Sequence, residues 1–189
     1  MLKVMLVDDE PYTLQGLQVI IDWESGGFEI AAVCSNGKEA LKYLADNQVD
    51  LIISDIKMPE MNGLELLETI KREKISDAAF VLLTGYDDFA YTQRAIRNGC
   101  LDYILKPVIE EELISVLRKV TNLNRESIVL RKDREKMEDA YLARIIRHLV
   151  KGRFNDEDIE YANKHLQISG RLRFVGIQFV NRELETDAG

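Results

Sequence analysis

The chain has 189 residues, 46% hydrophobic and 31% charged, which is the composition of a globular protein and not of a disordered one. No apolar run approaches the roughly 18 residues that a membrane span requires, and the N-terminal MLKVMLVDDE turns acidic at once, unlike a secretory leader. A net charge of −8 argues against a basic nucleic-acid footprint.

That charge is unevenly spread. Residues 1–109 carry 10 basic and 18 acidic groups, residues 110–153 carry 11 and 8, and residues 154–189 carry 4 and 7. Any contact with DNA is therefore expected from a part of the protein outside this chain. The two cysteines, Cys34 and Cys100, make no disulfide framework and read as small buried thiols in a reducing, cytoplasmic setting.

In chain order, KVMLV (3–7) predicts a first strand, and residues 11–22 a helix with Leu14, Leu17, Ile20 and Ile21 at helical spacing behind Pro11. FEIAAV (28–33) predicts a second strand, and SNGKEALKYLADN a helix with Ala40, Leu41 and Leu44 facing inward. LIIS (51–54) is the third strand, followed by a helix from Gly63 to Lys74, and AFVLLT (79–84) is the fourth. Asp87 or Asp88 is expected to cap a helix that stops at Asn98-Gly99. DYIL (102–105) is a fifth strand, and Glu110 opens another helix. Five strand-helix repeats predict an α/β domain with a doubly wound, five-stranded parallel sheet. Its near-continuous apolar strands agree with a sheet covered on both faces. Ligands of such a sheet bind outside the carboxyl ends of the strands, at the switch point.

Neither Gly nor Pro occurs between Val108 and Gly152, so one long helix is expected over 110–152, continuous with the last helix of the first domain (1–122). Val116, Val120, Leu123, Leu130, Met137 and Tyr141 follow a heptad-like stripe that Ser127 and Arg134 interrupt, which suits a weak and reversible seam. Asn155 to Leu166 predicts a helix and RFVGIQFV (173–180) a strand. Residues 153–189 are too few to bury a core alone and read as the start of a truncated middle domain.

Polar residues stand where the strands end: Asp8, Asp9 and Glu10 after the first, Asp55 after the third, Thr84 at the fourth, and Lys106-Pro107 after the fifth. A doubly wound sheet brings these ends to one edge. Two like charges ~5 Å apart cost roughly 3 kcal/mol at an effective dielectric of ~20, so clustered carboxylates need compensation. A hard divalent cation that keeps waters and takes phosphate oxygens, Mg²⁺, suits such a site. A carboxylate can act as nucleophile to form an acyl phosphate, with Lys106 and the Thr84 hydroxyl placed to meet phosphoryl oxygens.

VDDE (7–10), SDIKMPEMNG (54–63), TG (84–85) and DYILKP (102–107), in this order and spacing, resemble the receiver domain of two-component response regulators over residues 1–122. The resemblance implies a flavodoxin-like receiver fold in which Asp55 accepts a phosphoryl group from a sensor histidine kinase. It implies Mg²⁺ held by Asp8, Asp9, Asp55 and the backbone carbonyl of Lys57, with Lys106 pairing the phosphoryl group. Thr84 and Tyr103 resemble the family's switch pair. The family's usual cis peptide before the matching Pro107 would aim the lysine inward. Lys57 and Tyr86 flank the path of an attacking water and are expected to tune the phosphoryl lifetime. IDWESGGFEI (21–30) and TGYDDFAYTQRAI (84–96) resemble receivers attached to AraC-type helix-turn-helix outputs, which implies a DNA-binding transcription regulator whose output lies outside this chain. Self-association on phosphorylation is the expected consequence.

Taken singly, each residue has a plainer reading. A strand-end aspartate is usually a helix cap, Tyr103 a core residue, Glu10 a solvent-facing acid, and Gly63 the enabler of a tight turn. Asp9 is the acid expected to bind metal directly, and Asp8 directly or through water. An aspartyl-phosphate phosphatase would want a second acid two residues beyond the nucleophile, where this chain has Lys57. A degenerate receiver acting only as a scaffold would lack acids that are all present. A nucleotide-binding loop is excluded, since neither GxxxxGK[ST] nor GxGxxG occurs.

Overall fold

The computed structural model of the protein describes residues 1–85, 94–153 and 155–166. The elements are β1 (Leu2–Val7), α1 (Pro11–Val19), β2 (Phe28–Cys34), α2 (Gly37–Leu44), β3 (Leu51–Asp55), α3 (Gly63–Glu73), β4 (Ala79–Thr84), the helical residues 94–97 (α4), β5 (Asp102–Leu105), α5 (Glu110–Val150) and α6 (Asp156–Leu166). The caps expected at Asp87 or Asp88, and the strand expected at 173–180, lie outside the described residues.

All five strands pair in parallel, in the order β2-β1-β3-β4-β5. Alternating side chains of the buried strands divide the core in two. Met5, Val7, Ile52, Phe80 and Leu82 meet Ala40, Leu44, Leu64, Leu67 and Ile70 from α2 and α3 on one face. Val4, Leu6, Ile53, Val81 and Leu83 meet Leu14 and Leu17 of α1 and Leu113, Val116 and Leu117 of α5 on the other. Each such Val, Leu, Ile, Phe or Met side chain, withdrawn fully from water, stabilises the fold by about 1.5–3 kcal/mol.

Several boundaries shift from the sequence expectation, two of them for visible reasons. Helix α1 stops at Val19, where Trp23 folds back and its indole N–H donates to the Leu17 carbonyl at 3.0 Å. Strand β3 runs one residue further, to Asp55, because Asp55 still pairs with Leu83 of β4. Helix α3 keeps its expected start: the Asn62 side chain accepts from the Leu64 and Glu65 amides, and Glu65 accepts from the Asn62 amide. This reciprocal capping satisfies donors that a helix start leaves open.

The chain divides into two compact units, Met1–Glu126 and a second that begins at Ser127. Within the second, the Tyr161 ring meets Tyr141 edge-on at 4.6 Å and stacks on His165 at 3.9 Å, while the Arg144 guanidinium lies 4.7 Å from the Tyr141 centroid. Tyr141 is thus engaged by α6, and Val116 and Val120 belong to the core of the first unit. Of the heptad-like stripe, Leu123, Leu130 and Met137 remain exposed, and Tyr141 is still exposed despite its ring contacts. No helix among the described residues is long and apolar enough to cross a membrane.

Candidate functional site: an acidic pocket at the sheet edge

The register explains why the strand ends converge. Val7 pairs with Ser54, Asp55 with Leu83, and Thr84 with Leu105. Asp8, Asp55, Thr84 and Lys106 therefore leave the sheet at one edge. The chain reverses its order between β1 and β3, which is where a parallel sheet opens its crevice. Asp8 and Asp55 flank that opening.

The carboxylates of Asp8, Asp9 and Asp55 each offer a ligand atom, and these atoms lie within 4.8 Å of one another. Asp8 is fully buried and Asp55 is 7% exposed, whereas Asp9 faces solvent. Lys106 Nζ bridges the two buried acids, at 2.8 Å from Asp8 Oδ2 and 2.7 Å from Asp55 Oδ1, and lies 3.9 Å from Glu10 Oε2. Its peptide to Pro107 is cis, and its backbone N–H donates to the Thr84 carbonyl at 2.8 Å. The other oxygen of Asp55, Oδ2, accepts from the Lys57 amide at 2.9 Å. Asp8 Oδ1 accepts from the Glu10 amide at 2.8 Å. Both buried carboxylates are thus held in fixed orientations by groups from different elements.

Burial raises the Asp55 carboxyl above the ordinary carboxylate range, against the hydrogen bond and charge of Lys106, and the Asp8 charge adds to the rise. Burial alone would lower Lys106, but its hydrogen bonds and charge pairing with Asp55 and Asp8 outweigh that and leave it raised. One ammonium does not fully compensate these acids. The donor set is also the right kind for Mg²⁺, which takes hard carboxylate oxygens and keeps waters that fill in where a carboxylate does not reach it directly. The residues present therefore fit that ion.

Thr84 is buried at the same edge, with its hydroxyl donating to the Gly85 carbonyl at 3.1 Å. Tyr103 is 46% exposed, so the plain core reading of this residue does not hold. Its backbone N–H is taken by the Asp102 side chain at 2.9 Å. Tyr86 lies outside the described residues. Glu10, expected to face solvent, is exposed, yet it stands near Lys106 and accepts from the Thr13 hydroxyl at 2.9 Å.

The structure gives the physical reason for the glycine expected at position 63. Gly63 is not among the residues with positive φ, so no special turn conformation calls for glycine there. The reason is space: a Cβ would lie 2.0 Å from the Asp55 carbonyl oxygen and 2.9 Å from Ser54 Oγ. The Ser54 hydroxyl itself donates to that carbonyl at 2.9 Å, and the Gly63 amide donates to the Ile56 carbonyl at 3.0 Å. Sequence reasoning missed this support, because a serine before an aspartate carries no signal of its own.

The family model of the response regulator receiver domain matches residues 4–118. The transcriptional regulatory protein YesN of Bacillus subtilis is 34% identical over 149 residues, covering 79% of this chain and 39% of that protein. The transcriptional regulatory protein HptR of Staphylococcus aureus is 38% identical over 120 residues, covering 64% and 46%. The chain thus spans between about two-fifths and a half of the length of these curated relatives. Among solved structures, the REC domain of AraT, a response regulator from Geobacillus stearothermophilus, is 38% identical at a TM-score of 0.61, covering 67% of this chain and 98% of that one. A two component transcriptional regulator AraC from Clostridium phytofermentans is 27% identical at 0.59, covering 65% and 94%. With more than half its length matched by the family model, and with the parallel sheet and its acidic edge in place, this chain belongs to the response regulator receiver family, the signalling modules of two-component systems.

Proposed function

We propose that this chain is the phosphorylation-switched input of a transcriptional response regulator, in which Asp55 takes a phosphoryl group from the phosphohistidine of a sensor histidine kinase. The observation that carries this reading is the meeting of three carboxylates, within 4.8 Å, with one ammonium that bridges the two buried ones. An Asp55 oxygen attacks phosphorus, the P–N bond to the donor imidazole breaks, and its electron pair returns to the ring nitrogen. The Lys57 amide and the Lys106 ammonium hold the two Asp55 oxygens for that attack. Asp8, Asp9, Asp55 and the Lys57 carbonyl would hold Mg²⁺, which when bound supplies charge neutralisation between the acids and the incoming phosphoryl oxygens. Lys106 pairs with the transferred group, and the Thr84 hydroxyl turns from the Gly85 carbonyl to donate to it. Tyr103, exposed at rest, then shifts inward as one of two packings is selected. The Lys57 side chain and Tyr86 tune how long the acyl phosphate lasts.

In this reading residues 1–122 are the receiver, residues 110–152 the linker helix, and residues 153–189 the start of a middle domain. The protein works in the cytoplasm, catalyses only its own phosphorylation and dephosphorylation, and reaches DNA through an AraC-type output outside this chain. Asp55→Asn is expected to abolish labelling by radioactive acetyl phosphate in the presence of Mg²⁺; labelling at the wild-type level would show that the acceptor lies elsewhere. Phosphorylation is expected to promote self-association, read as a rise in solution mass from monomer to dimer when Mg²⁺ and beryllium fluoride, a phosphoryl mimic, are added together.

A further inference from the structure

Resting on the metal site proposed above, the structure assigns a further positioning role to Gly37 at the start of α2. We propose that Gly37 is the seat for Met61, and through Met61 for the β3–α3 segment 56–62 that carries the Lys57 amide and carbonyl. Three observations meet here. Gly37 is buried, and its N–H donates to the Met61 carbonyl at 3.2 Å. A Cβ on Gly37 would stand 2.6 Å from Met61 Cγ and 2.9 Å from the Met61 carbonyl oxygen, so the two residues are already in closest contact. The segment also carries backbone that tolerates little displacement, since Glu60 has φ 64° and the Met61 amide folds back on the Pro59 carbonyl at 2.7 Å.

The segment is anchored at both ends. On one side, the Lys57 amide holds Asp55 Oδ2; on the other, Asn62 caps α3 and Gly63 lies against the Asp55 carbonyl. Between these anchors, the α2 start supports the segment from outside, alongside the Ile56 amide's hydrogen bond to the Leu83 carbonyl at 3.2 Å and the exposed Lys38–Glu60 pair at 3.3 Å, which is worth little by itself. A group added at position 37 pushes Met61, and the push is transmitted along a short closed segment to Lys57. Gly16 of α1 provides the contrast, because a Cβ there meets nothing within 4 Å.

The test is a double-mutant cycle on the whole chain, read two ways: Mg²⁺ affinity by calorimetry, and hydrogen exchange of the Lys57 amide in metal-free protein. Gly37→Ala is expected to weaken Mg²⁺ binding by about tenfold, the usual scale for losing a support behind a metal ligand, and to speed Lys57 exchange. Met61→Ala, which only trims the seated side chain, is expected to have a smaller effect on both. The double variant is expected to fall between Gly37→Ala and the sum of the two single effects, because trimming Met61 removes its Cγ from the clash while its carbonyl oxygen still stands 2.9 Å from the added Cβ. Gly16→Ala is expected to leave both readouts unchanged. Wild-type affinity and Lys57 protection in a folded Gly37→Ala overturn the assignment, as do strictly additive effects in the double variant. If Gly37→Ala does not fold, unaltered Lys57 exchange in Met61→Ala overturns it equally. Failure of the wild-type chain to bind Mg²⁺ overturns the proposed metal site instead, and the exchange readout still decides the seat.

Discussion

Asp55 is a buried carboxylate whose pKa is raised, so the native chain holds its proton more tightly than the unfolded one. Folding therefore takes up a proton between the ordinary carboxylate pKa of 3.8 and the raised value, and stability falls as pH rises through that interval. Asp55→Asn has no charge to bury, and Lys106 keeps Asp8 as a partner. The variant is expected to be more stable than wild type at neutral pH in the absence of divalent cations. That advantage should shrink towards zero as pH falls to the unfolded value, a comparison that denaturant unfolding at several pH values checks. Lys106 does not disturb this window. Its pKa is also raised, so its contribution is complete below its ordinary pKa and is lost only in the alkaline range. At this scale the sequence showed which acids and which lysine to watch, because VDDE, SDIKMP and DYILKP stand at strand ends. It could not rank their burial. Asp8 turns out fully buried and Asp9 exposed, although the two are adjacent and chemically identical.

The elements fix where those residues point. Helix α3 begins against the site: Asn62 caps it, and Gly63 leaves room for the Asp55 carbonyl. Gly63→Ala would place a methyl 2.0 Å from a backbone oxygen, which no rotamer can relieve. A loss of about 1–3 kcal/mol or more is expected, the range for forcing a methyl into packed structure, together with a marked drop in acetyl phosphate labelling. Asn62→Ala removes only the cap, worth about 1 kcal/mol, and labelling should fall far less. Chemical denaturation alongside labelling separates the two. Helices α1, α2 and α3 were legible from apolar spacing, and their ends were less so. The tertiary contact of Trp23 with Leu17 shortened α1, and pairing across the sheet lengthened β3 by one residue. The long apolar stripe beyond residue 110 read as one heptad series. Yet Val116 and Val120 serve the receiver core and Tyr141 meets Tyr161, so a single pattern in the sequence is shared among separate packing tasks.

For the molecule as a whole, the clustered acids are a cost that folding alone leaves in place, since one ammonium bridges only two of the three carboxylates. A cation that binds the folded site and not the unfolded chain stabilises it by mass action. At ten times its dissociation constant, Mg²⁺ should contribute about 1.4 kcal/mol. The melting temperature of the first unit, Met1–Glu126, is expected to rise with Mg²⁺ in wild type and to rise much less in Asp8→Asn or Asp55→Asn. Equal shifts in all three proteins, followed by calorimetry, would place the cation outside the acidic pocket.

Local order was written in the chain itself: alternating strand-like and helical apolar patterns and short polar signatures pointed to a five-stranded parallel sheet and singled out Asp8, Asp55, Thr84 and Lys106. Those signals are local because strand and helix periodicity depends on neighbours a few residues apart. Only the tertiary structure decided that Lys106, 98 positions from Asp8, bridges two buried carboxylates, that Asp9 stays in water, and that Gly63 is needed for space. These are outcomes of distance and desolvation between segments far apart in sequence, quantities that exist only once the sheet has closed its register.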